Sequence, residues 1–218
     1  VKSSSINYLM GKIGFKRNST DQTDKYDMSH VPSFEKYLKI DIEGIARNYK
    51  TPADSKKWEF TLPNNVEDRS LNLSWDIPQS NTHTLVFVDG ITGRITDLSQ
   101  EKSVNVLNKP GVVHQIYYGN KDNIYQEINV DRLSLINLFP NPVDDRISLE
   151  VISPEETTLD YSIISLDGRS KYFMSQSIKT GLNRVNIDLS HVDLPAGTYI
   201  LKAKTFESQL IMTKFIKK

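Results

Sequence analysis

Hydrophobic and polar positions alternate in short runs along this chain, and the pattern predicts strands rather than helices. In Arg146–Ile152, the apolar residues Ile147, Leu149 and Val151 alternate with polar ones, which gives one buried and one solvated face. Similar runs rich in Val, Ile, Tyr, Phe and Thr recur between Gly, Pro, Asn and Asp. This spacing is typical of small all-β domains.

Seven strands are predicted after residue 132, and Asp167–Gly168 between two of them predicts a tight hairpin with positive φ. The range given for the sixth strand begins with a Pro/Gly turn that leads into it. The seven ranges are Leu133–Phe139, Arg146–Ile152, Thr158–Leu166, Arg169–Ile178, Leu182–Leu189, Leu194–Thr205 and Gln209–Lys217.

The same pattern also predicts strands in the earlier part of the chain. Long polar loops are predicted at Arg17–Ser33 and Asn48–Lys57. The predicted strands are Asn7–Lys16, Tyr37–Glu43, Trp58–Leu62, Ser70–Trp75, His83–Val88, Arg94–Asp97, Ser103–Leu107, Val112–Tyr118 and Ile124–Val130.

A domain boundary is predicted near residues 130–134, because Asp131–Arg132 interrupts two strand-like runs. The expected architecture is all-β, with two β-sandwich domains in tandem over residues 1–131 and 132–218. The chain has 218 residues, a length that one large or two small domains would fill.

Composition excludes several classes of function. Lys plus Arg and Asp plus Glu both number 27, so the basic face of a nucleic-acid binder is not expected. The absence of cysteine excludes disulfides, thiolate catalysis and Cys-ligated metals. No apolar run approaches the roughly 20 residues of a membrane-spanning helix. The residues after Val1 do not resemble a signal peptide, which indicates a mature product or a fragment of a longer protein.

The four histidines do not form a recognisable catalytic or metal-binding motif. His30, His83, His114 and His191 lie in separate segments, and no pair has the spacing of two ligands on one helical face. There is no G-x-S-x-G elbow and no phosphate-binding glycine-rich loop. We therefore expect no catalytic residues, no cofactor and no metal. A β-sandwich hydrolase that uses His83 or His114 with a nearby carboxylate stays open as an alternative.

Two other clusters have a functional and a structural interpretation. Asp21, Asp24 and Asp27 could hold calcium, but their spacing is not that of an EF-hand and also fits a solvated acidic loop. Aromatic residues of the first domain could form a sugar-binding platform, as in a carbohydrate-binding or adhesin module, or could belong to the core. These residues are Trp58, Trp75, Tyr117 and Tyr118.

Two features distinguish the last eighty residues. The segment Phe139–Val143 reads F-P-N-P-V, and its two prolines keep it out of a central strand and make it a stiff, extended lead-in. The chain from Lys202 onward ends in a basic strand that could be a docking element, or whose lysines could protect a sheet edge. From Lys202 onward there are five lysines and one acid: Lys202, Lys204, Lys214, Lys217, Lys218 and Glu207.

A series of blocks in this region resembles a known family. N-L-F-P-N-P-V-D-D-R-I-S-L-E-V is followed by S-L-D-G-R, G-L-N-R-V-N-I-D-L, L-P-A-G-T-Y-I-L-K and a terminal M-T-K-F-I-K-K. In this order and spacing they resemble the type A C-terminal sorting domain of type IX secretion substrates in Bacteroidota, over about residues 135–218. The resemblance implies a seven-stranded Ig-like β-sandwich without catalytic activity, which serves as a secretion signal.

The family also implies a route and a set of partners. The cargo crosses the periplasm and the outer membrane and ends secreted or at the cell surface. The sorting domain is recognised by the type IX translocon and by an outer-membrane β-barrel shuttle protein. A sortase then removes the domain and attaches the cargo to anionic lipopolysaccharide.

The family's motif positions map onto individual residues of this chain. The sorting motif comprises Phe139, Pro140, Asn141, Pro142, Asp167, Gly168, Leu194, Gly197, Tyr199, Lys214, Ile216, Lys217 and Lys218. The sortase cut is expected in the connector, within Ile128, Asn129, Val130, Asp131, Arg132, Leu133, Ser134 and Leu135.

Residues before 132 look like a β-rich domain found upstream of such sorting domains in large surface proteins. The similar pieces are D-K-Y-D at Asp24–Asp27, the W-E-F strand, and the stretch Leu85–Leu98. The aromatic ending with Arg-Phe that the upstream family shows is replaced here by I-Y-Q-E-I-N-V. The first domain is thus expected to be the end of the cargo portion.

Overall fold

The computed structural model describes residues 11–30, 41–62, 69–207 and 209–218. These residues are nearly all in strands or loops, which confirms the all-β prediction. The elements are β1 (Lys12–Phe15), β2 (Asp41–Ile42), β3 (Arg47–Lys50), β4 (Lys56–Thr61), β5 (Ser70–Ser74), β6 (His83–Val88), β7 (Ile95–Asp97), β8 (Ser103–Leu107), β9 (Val113–Asn120), α1 (Ile124–Glu127), β10 (Ser134–Phe139), β11 (Arg146–Ser153), β12 (Thr157–Ser165), β13 (Ser170–Ile178), β14 (Gly181–Asp188), β15 (Gly197–Thr205) and β16 (Leu210–Lys217).

The chain divides into two compact units, Val1–Ile124 and Tyr125–Lys218. The predicted boundary at residues 131–132 lies a few residues further along, in the connector before β10, and stays a prediction. Two predicted strands, Asn7–Lys16 and Tyr37–Glu43, and the loop Arg17–Ser33 lie partly outside the described residues.

The first unit is built on a five-stranded antiparallel sheet with the order β2-β4-β9-β6-β7. Strands β5 and β8 pair in a second, two-stranded sheet. Buried side chains from both sheets form one hydrophobic cluster, because alternate residues of each strand point to the same side. Trp58, Phe60, Leu71, Phe87 and Val106 belong to this cluster.

The predicted loop Asn48–Lys57 is wrong at both ends. Arg47–Lys50 form β3, which pairs in parallel with β1, and Lys56–Lys57 begin β4. The sequence R-N-Y-K has no apolar alternation to reveal a strand. Its buried residue is Asn48, whose Oδ1 accepts a hydrogen bond from Nε1 of Trp58 at 3.0 Å. A polar tertiary contact, invisible to a hydrophobic pattern, holds this strand in place.

The prediction of a strand over Ile124–Val130 is also wrong, since Ile124–Glu127 form the helix α1. The chain turns sharply after β9, where Oδ1 of Asn120 accepts the N–H of Asp122 at 2.9 Å and its carbonyl accepts that of Asn123 at 3.1 Å. Ile124 and Ile128 are both buried. A spacing of four residues places two side chains on the same face of a helix. The prediction instead assigned these apolar residues to a strand, because a short apolar run fits both structures.

The second unit has two antiparallel sheets around one core. One sheet has the order β10-β11-β14 and the other β13-β12-β15-β16. Both contribute to a single hydrophobic cluster that contains Leu149, Leu159, Val185, Leu201 and Phe215. All seven strands predicted after residue 132 are present within a few residues of their predicted ends. The Ig-like topology stays a prediction.

Candidate functional site: one end of the second unit

The proline motif connects β10 with β11 and lies on the surface. Pro140, Asn141 and Pro142 are exposed, whereas the next residue, Val143, is fully buried. Neither proline has a backbone N–H, so this segment offers few hydrogen-bond donors of its own. Val143 anchors it to the core from one side.

The proline motif is hydrogen-bonded to the end of the C-terminal strand. The N–H of Ile216 donates to Oδ1 of Asn141 at 2.9 Å, and the N–H of Val143 donates to the carbonyl of Ile216 at 2.8 Å. The N–H of Lys218 donates to the carbonyl of Val143 at 3.0 Å. Residues 139–143 and 216–218 are called the clasp below. It joins two blocks that lie about 75 residues apart in sequence.

Strand register brings the other motif blocks to the same end of the four-stranded sheet. Gly197 is paired with Lys217, and Tyr199 is paired with Phe215 on one side and Ser165 on the other. The hairpin containing Asp167 and Gly168 begins directly after Ser165. The hairpin, the L-P-A-G-T-Y block and the terminal block therefore share one end of this sheet, and the clasp joins the proline motif to it.

The predicted hairpin at Asp167–Gly168 is present, but its turn is longer than the two-residue primed turn that the sequence suggested. The N–H of Gly168 donates to the carbonyl of Ser165 at 2.9 Å, and the N–H of Ser165 donates to the carbonyl of Arg169 at 3.0 Å. Gly168 has φ of 84°, whereas Asp167 does not have positive φ. A three-residue loop closed by a left-handed glycine fits these bonds.

The L-P-A-G-T-Y block is fixed by its tyrosine. The hydroxyl of Tyr199 donates to the carbonyl of Pro195 at 2.8 Å, and its ring lies 5.7 Å from that of Phe215. Leu194 is buried in the same core. A Cβ added at Gly197 would meet its nearest atoms at 3.8 Å, an ordinary contact, so the fold does not require glycine there.

Charges of both signs surround the clasp. Nζ of Lys218 lies 3.4 Å from Oδ2 of Asp144, and Lys214 is exposed on the same strand. On the other side, Pro140 lines a shallow depression together with Asp144, Asp145, Arg146 and Ser190. The hydroxyl and N–H of Ser190 donate to Asp188 and hold the pKa of that carboxyl below its usual value.

Phe139, the first residue of the motif, is half-buried, unlike these exposed groups. The guanidinium of Arg184 on β14 lies 5.3 Å from the centre of its ring, a cation–π contact. Phe139 thus connects the proline motif to the three-stranded sheet.

The predicted cleavage region is unequally exposed. Asn129 and Asp131 are exposed, whereas Leu133 belongs to the core and Ser134 is fully buried as the first residue of β10. The N–H of Leu133 also donates to Oε1 of Gln209. The second half of the region is therefore part of the folded second unit.

His114 lies in the core of the first unit rather than in an open site. It is fully buried and stacks on Phe60 and Phe87 at 5.4 and 5.7 Å. Its Nδ1 lies 3.3 Å from Oδ1 of Asp89. Burial raises the pKa of Asp89, but hydrogen bonds from His114, Thr92 and the N–H of Ile91 outweigh burial and hold that pKa below its usual value.

The other histidines lie elsewhere and do not join this pair. His83 stacks on Tyr118 at 5.0 Å and its Nδ1 lies 2.8 Å from Oγ1 of Thr82. His30 lies near Asp41, and His191 is exposed in the second unit. Within the described residues, no group of three potential ligands could hold a metal ion.

The four aromatic residues considered as a sugar platform do not form one. Trp58 is 1% exposed and belongs to the core, as its hydrogen bond to Asn48 shows. Tyr118 packs on the same core, whereas the neighbouring Tyr117 is buried on the opposite face of the sheet. Nε1 of Trp75 donates to the carbonyls of Leu98 and Glu101. Trp58 and Tyr117 are thus buried, whereas Trp75 and Tyr118 are half-buried and pack against the core.

The three aspartates considered for calcium instead organise their loop. Hydrogen bonds from the N–H groups of Tyr26 and Thr20 lower the pKa of Asp24. Oδ1 of Asp27 accepts the N–H of Tyr49 at 2.8 Å. A hydrogen bond from Lys56 is the main cause that lowers the pKa of Asp21. These carboxylates hold the loop in place against β3 and β4.

Comparisons with known proteins bear on the second unit. Residues 137–218 match the family model described as "Secretion system C-terminal sorting domain". No curated protein matches the chain.

Three solved structures illustrate the similarity found among known folds. A putative beta-galactosidase from Bacteroides fragilis is 9% identical, with 72% of this chain and 32% of that chain covered and a TM-score of 0.30. Bacteroides uniformis beta-glucuronidase 3 is 10% identical, with 74% and 27% covered and a TM-score of 0.29. Faecalibacterium prausnitzii beta-glucuronidase is 9% identical, with 74% and 37% covered and a TM-score of 0.26. This chain spans about a third of each, and at these values the likeness assigns no activity to it.

The C-terminal part of the chain, residues 137–218, belongs to the family of secretion-system C-terminal sorting domains. This domain is a non-catalytic type IX secretion signal, and it implies interaction with the secretion machinery. The protein is therefore exported across the outer membrane to the cell surface or the extracellular space. In the part of the chain that the structure describes, no helix is long and apolar enough to cross a membrane.

Proposed function

We propose that the clasp end of the second unit is the surface that the type IX translocon and its outer-membrane β-barrel shuttle recognise. The observation that carries this proposal is the hydrogen bonding of Asn141 and Val143 to Ile216. It makes the proline motif and the chain terminus one continuous feature. A receptor that contacts either block then contacts both.

The exposed chemistry of this end suits a protein receptor. Pro140 and Pro142 present rigid apolar rings whose conformational entropy is already low before binding. Lys214, two residues before Ile216 on β16, adds an exposed positive charge to the terminal strand. We expect the receptor to offer an apolar groove with an acidic rim, because these groups complement rigid apolar rings and a lysine.

We propose that the sortase cuts next to Asn129 or Asp131, the exposed residues of the predicted region. A protease needs an accessible, extended backbone, and a cut nearer to Leu135 would require β10 to leave its sheet. Mass spectrometry of the cargo's new C-terminus would locate the bond. A terminus within β10 would contradict this assignment. The cargo would then be joined to anionic lipopolysaccharide.

The first unit is proposed to be the non-catalytic end of the cargo. Asp89 and His114, which lie close together in this unit, are both almost fully buried, as structural residues would be. Of the aromatic residues that a carbohydrate-binding module would expose, Trp58 and Tyr117 are buried, and Trp75 and Tyr118 pack against the core.

An export assay tests the recognition proposal. The full chain is fused behind a signal peptide and a fluorescent reporter in a type IX-competent bacterium, and is compared with the same fusion that lacks Lys217 and Lys218. A larger deletion would remove Phe215, a fully buried core residue, and would confuse unfolding with lost recognition. Reporter outside the cell only with the complete terminus supports the proposal. Equal export of both fusions contradicts it.

A further inference from the structure

The two sheets of the second unit have different outer faces. On the three-stranded sheet, polar side chains bond to one another: Oγ of Ser148 donates to Oδ1 of Asn186 at 2.8 Å, and Nε of Arg184 donates to Glu150 at 3.0 Å. Such paired groups are satisfied without a partner. The four-stranded sheet carries a different set.

The outer face of β13, β12, β15 and β16 combines large apolar side chains with lysines. Phe173 on β13 is 69% exposed, and Met212 on β16 is 54% exposed. Register places Phe173 beside Ser162, Ser162 beside Lys202, and Lys202 beside Met212, in one row across the sheet. This outer surface is called the basic apolar face.

Lysines outnumber acids on the described part of this face, where register places Asp160 beside Lys204. Lys202, Lys204 and Lys214 form no ion pair with any residue that the structure describes, although they lie on two adjacent strands. The acid of the face, Asp160, accepts a hydrogen bond from Oγ of Ser175 at 2.5 Å. Three lysines with one acid among exposed apolar side chains make this face complementary to an anionic, partly apolar counterpart.

We propose that the basic apolar face docks onto an anionic lipid surface. Lysines can extend their ammonium groups to lipid phosphates while their aliphatic stems and neighbouring apolar side chains enter the interface. A protein partner would need acids matched to three lysines on two strands, whereas a lipid leaflet supplies anionic groups everywhere. Export across the outer membrane brings the domain to such a surface. This proposal goes beyond recognition at the clasp and does not depend on it.

Vesicle co-sedimentation of the full 218-residue chain tests the proposal. The chain is expected to bind phosphatidylcholine vesicles that contain phosphatidylglycerol and to bind pure phosphatidylcholine much more weakly. The combined variant Lys202→Gln, Lys204→Gln and Lys214→Gln should lose affinity on the order of a hundredfold, because each lysine near an anionic leaflet strengthens binding about fivefold. Added salt should weaken the wild-type interaction.

A matched control separates this face from net charge. The combined variant Lys102→Gln, Lys109→Gln and Lys179→Gln removes the same charge from exposed positions outside the face. It should bind nearly as the wild type does. The double variant Phe173→Ser and Met212→Ser keeps all charges and should also lose binding. Thermal unfolding of each variant checks that the fold is retained.

Three outcomes would overturn the proposal. Equal loss in both lysine variants would show attraction by net charge alone. Dimerisation in light scattering that is abolished by the Phe173 and Met212 changes would assign the face to a second copy of the chain. Absence of vesicle binding, together with lost export of the Phe173→Ser and Met212→Ser variant, would assign the face to a protein of the secretion machinery, because neither residue belongs to the clasp surface. Because the vesicle assay contains no such machinery, its failure leaves the clasp proposal unaffected.

Discussion

The backbone nitrogen of Ile216 lies 2.9 Å from Oδ1 of Asn141, a residue 75 positions earlier in the sequence. This bond fastens the exposed proline motif to the outer edge of the terminal strand. It gives a side-chain role to the residue between the two prolines, which a stiff connector alone would not need.

Replacement of Asn141 by Ala is expected to reduce export while the domain stays folded. The lost hydrogen bond costs about 0.5–1.5 kcal/mol of stability, which a domain with this core tolerates. Asn141→Asp keeps the acceptor oxygen and should restore export in part. Asn186→Ala, which removes another exposed hydrogen bond in the same unit, serves as control. Export and thermal unfolding are measured together, and normal export of Asn141→Ala would contradict the prediction.

Deletion of Lys217 and Lys218 is expected to abolish export without unfolding the unit. It removes the bond from the N–H of Lys218 to Val143 and the ion pair with Asp144, but it leaves Phe215 in the core. The double variant Lys217→Gln and Lys218→Gln keeps both backbone groups. Export of this variant would attribute the effect to the backbone bonds, and its failure would attribute the effect to charge. Export by the deleted chain itself would refute the role of the terminus.

The sequence predicted elements better than the contacts between them. Period-two alternation identifies strands such as β11, β12 and β15, because alternate residues of each are buried in the same core. The pairing of Asn141 with Ile216 could not be predicted, since it depends on register across two sheets. A signal did exist, because an asparagine between prolines has a free acceptor and no helix or strand of its own.

Errors in the first unit come from residues whose burial does not follow hydrophobic pattern. Asn48 makes β3 a strand through its bonds to Trp58 and Glu43, and Ile124 begins a helix after a turn made by Asn120. The contact between Asp89 and His114 joins the end of β6 to the beginning of β9, and no local sequence pattern indicates it. Short-range pattern contains no information on such tertiary polar contacts.

Replacement of Leu149 by Ala is expected to lose export through unfolding. Leu149 is fully buried in β11, and truncation there costs about 2–5 kcal/mol. Leu182→Ala is the matched control, because Leu182 lies on the neighbouring strand and is 42% exposed. It should change stability by less than about 1 kcal/mol. Denaturant titration gives both values, and similar losses for the two variants would contradict the assigned core.

Replacement of Gly90 by Ala is expected to destabilise the first unit. A Cβ at this position would lie 1.9 Å from the carbonyl oxygen of Val113, so backbone must move. We expect a loss of about 1–3 kcal/mol, as in overpacked sites. Gly119→Ala is a suitable control because its added Cβ would meet side-chain atoms of Ile124 at 3.5 Å, an ordinary contact. Trp58 fluorescence during unfolding reports on this unit, and equal stability of Gly90→Ala and wild type would exclude the close approach.

The stabilising effect of Asp89 is expected to depend on acid pH. Burial raises the pKa of this carboxyl, but the hydrogen bonds from His114, Thr92 and Ile91 outweigh it, so the folded-state pKa lies below the value of about 3.9 in an unfolded chain. A depressed pKa contributes stability that is present above the unfolded value and is lost as pH falls through the folded value. The wild type should therefore exceed Asp89→Asn in unfolding free energy by a constant amount above about pH 5. The difference should shrink at lower pH. Denaturant titrations of both proteins across acid pH measure it, and a difference that is the same at neutral and acid pH would mean that Asp89 is not held as a charged acceptor.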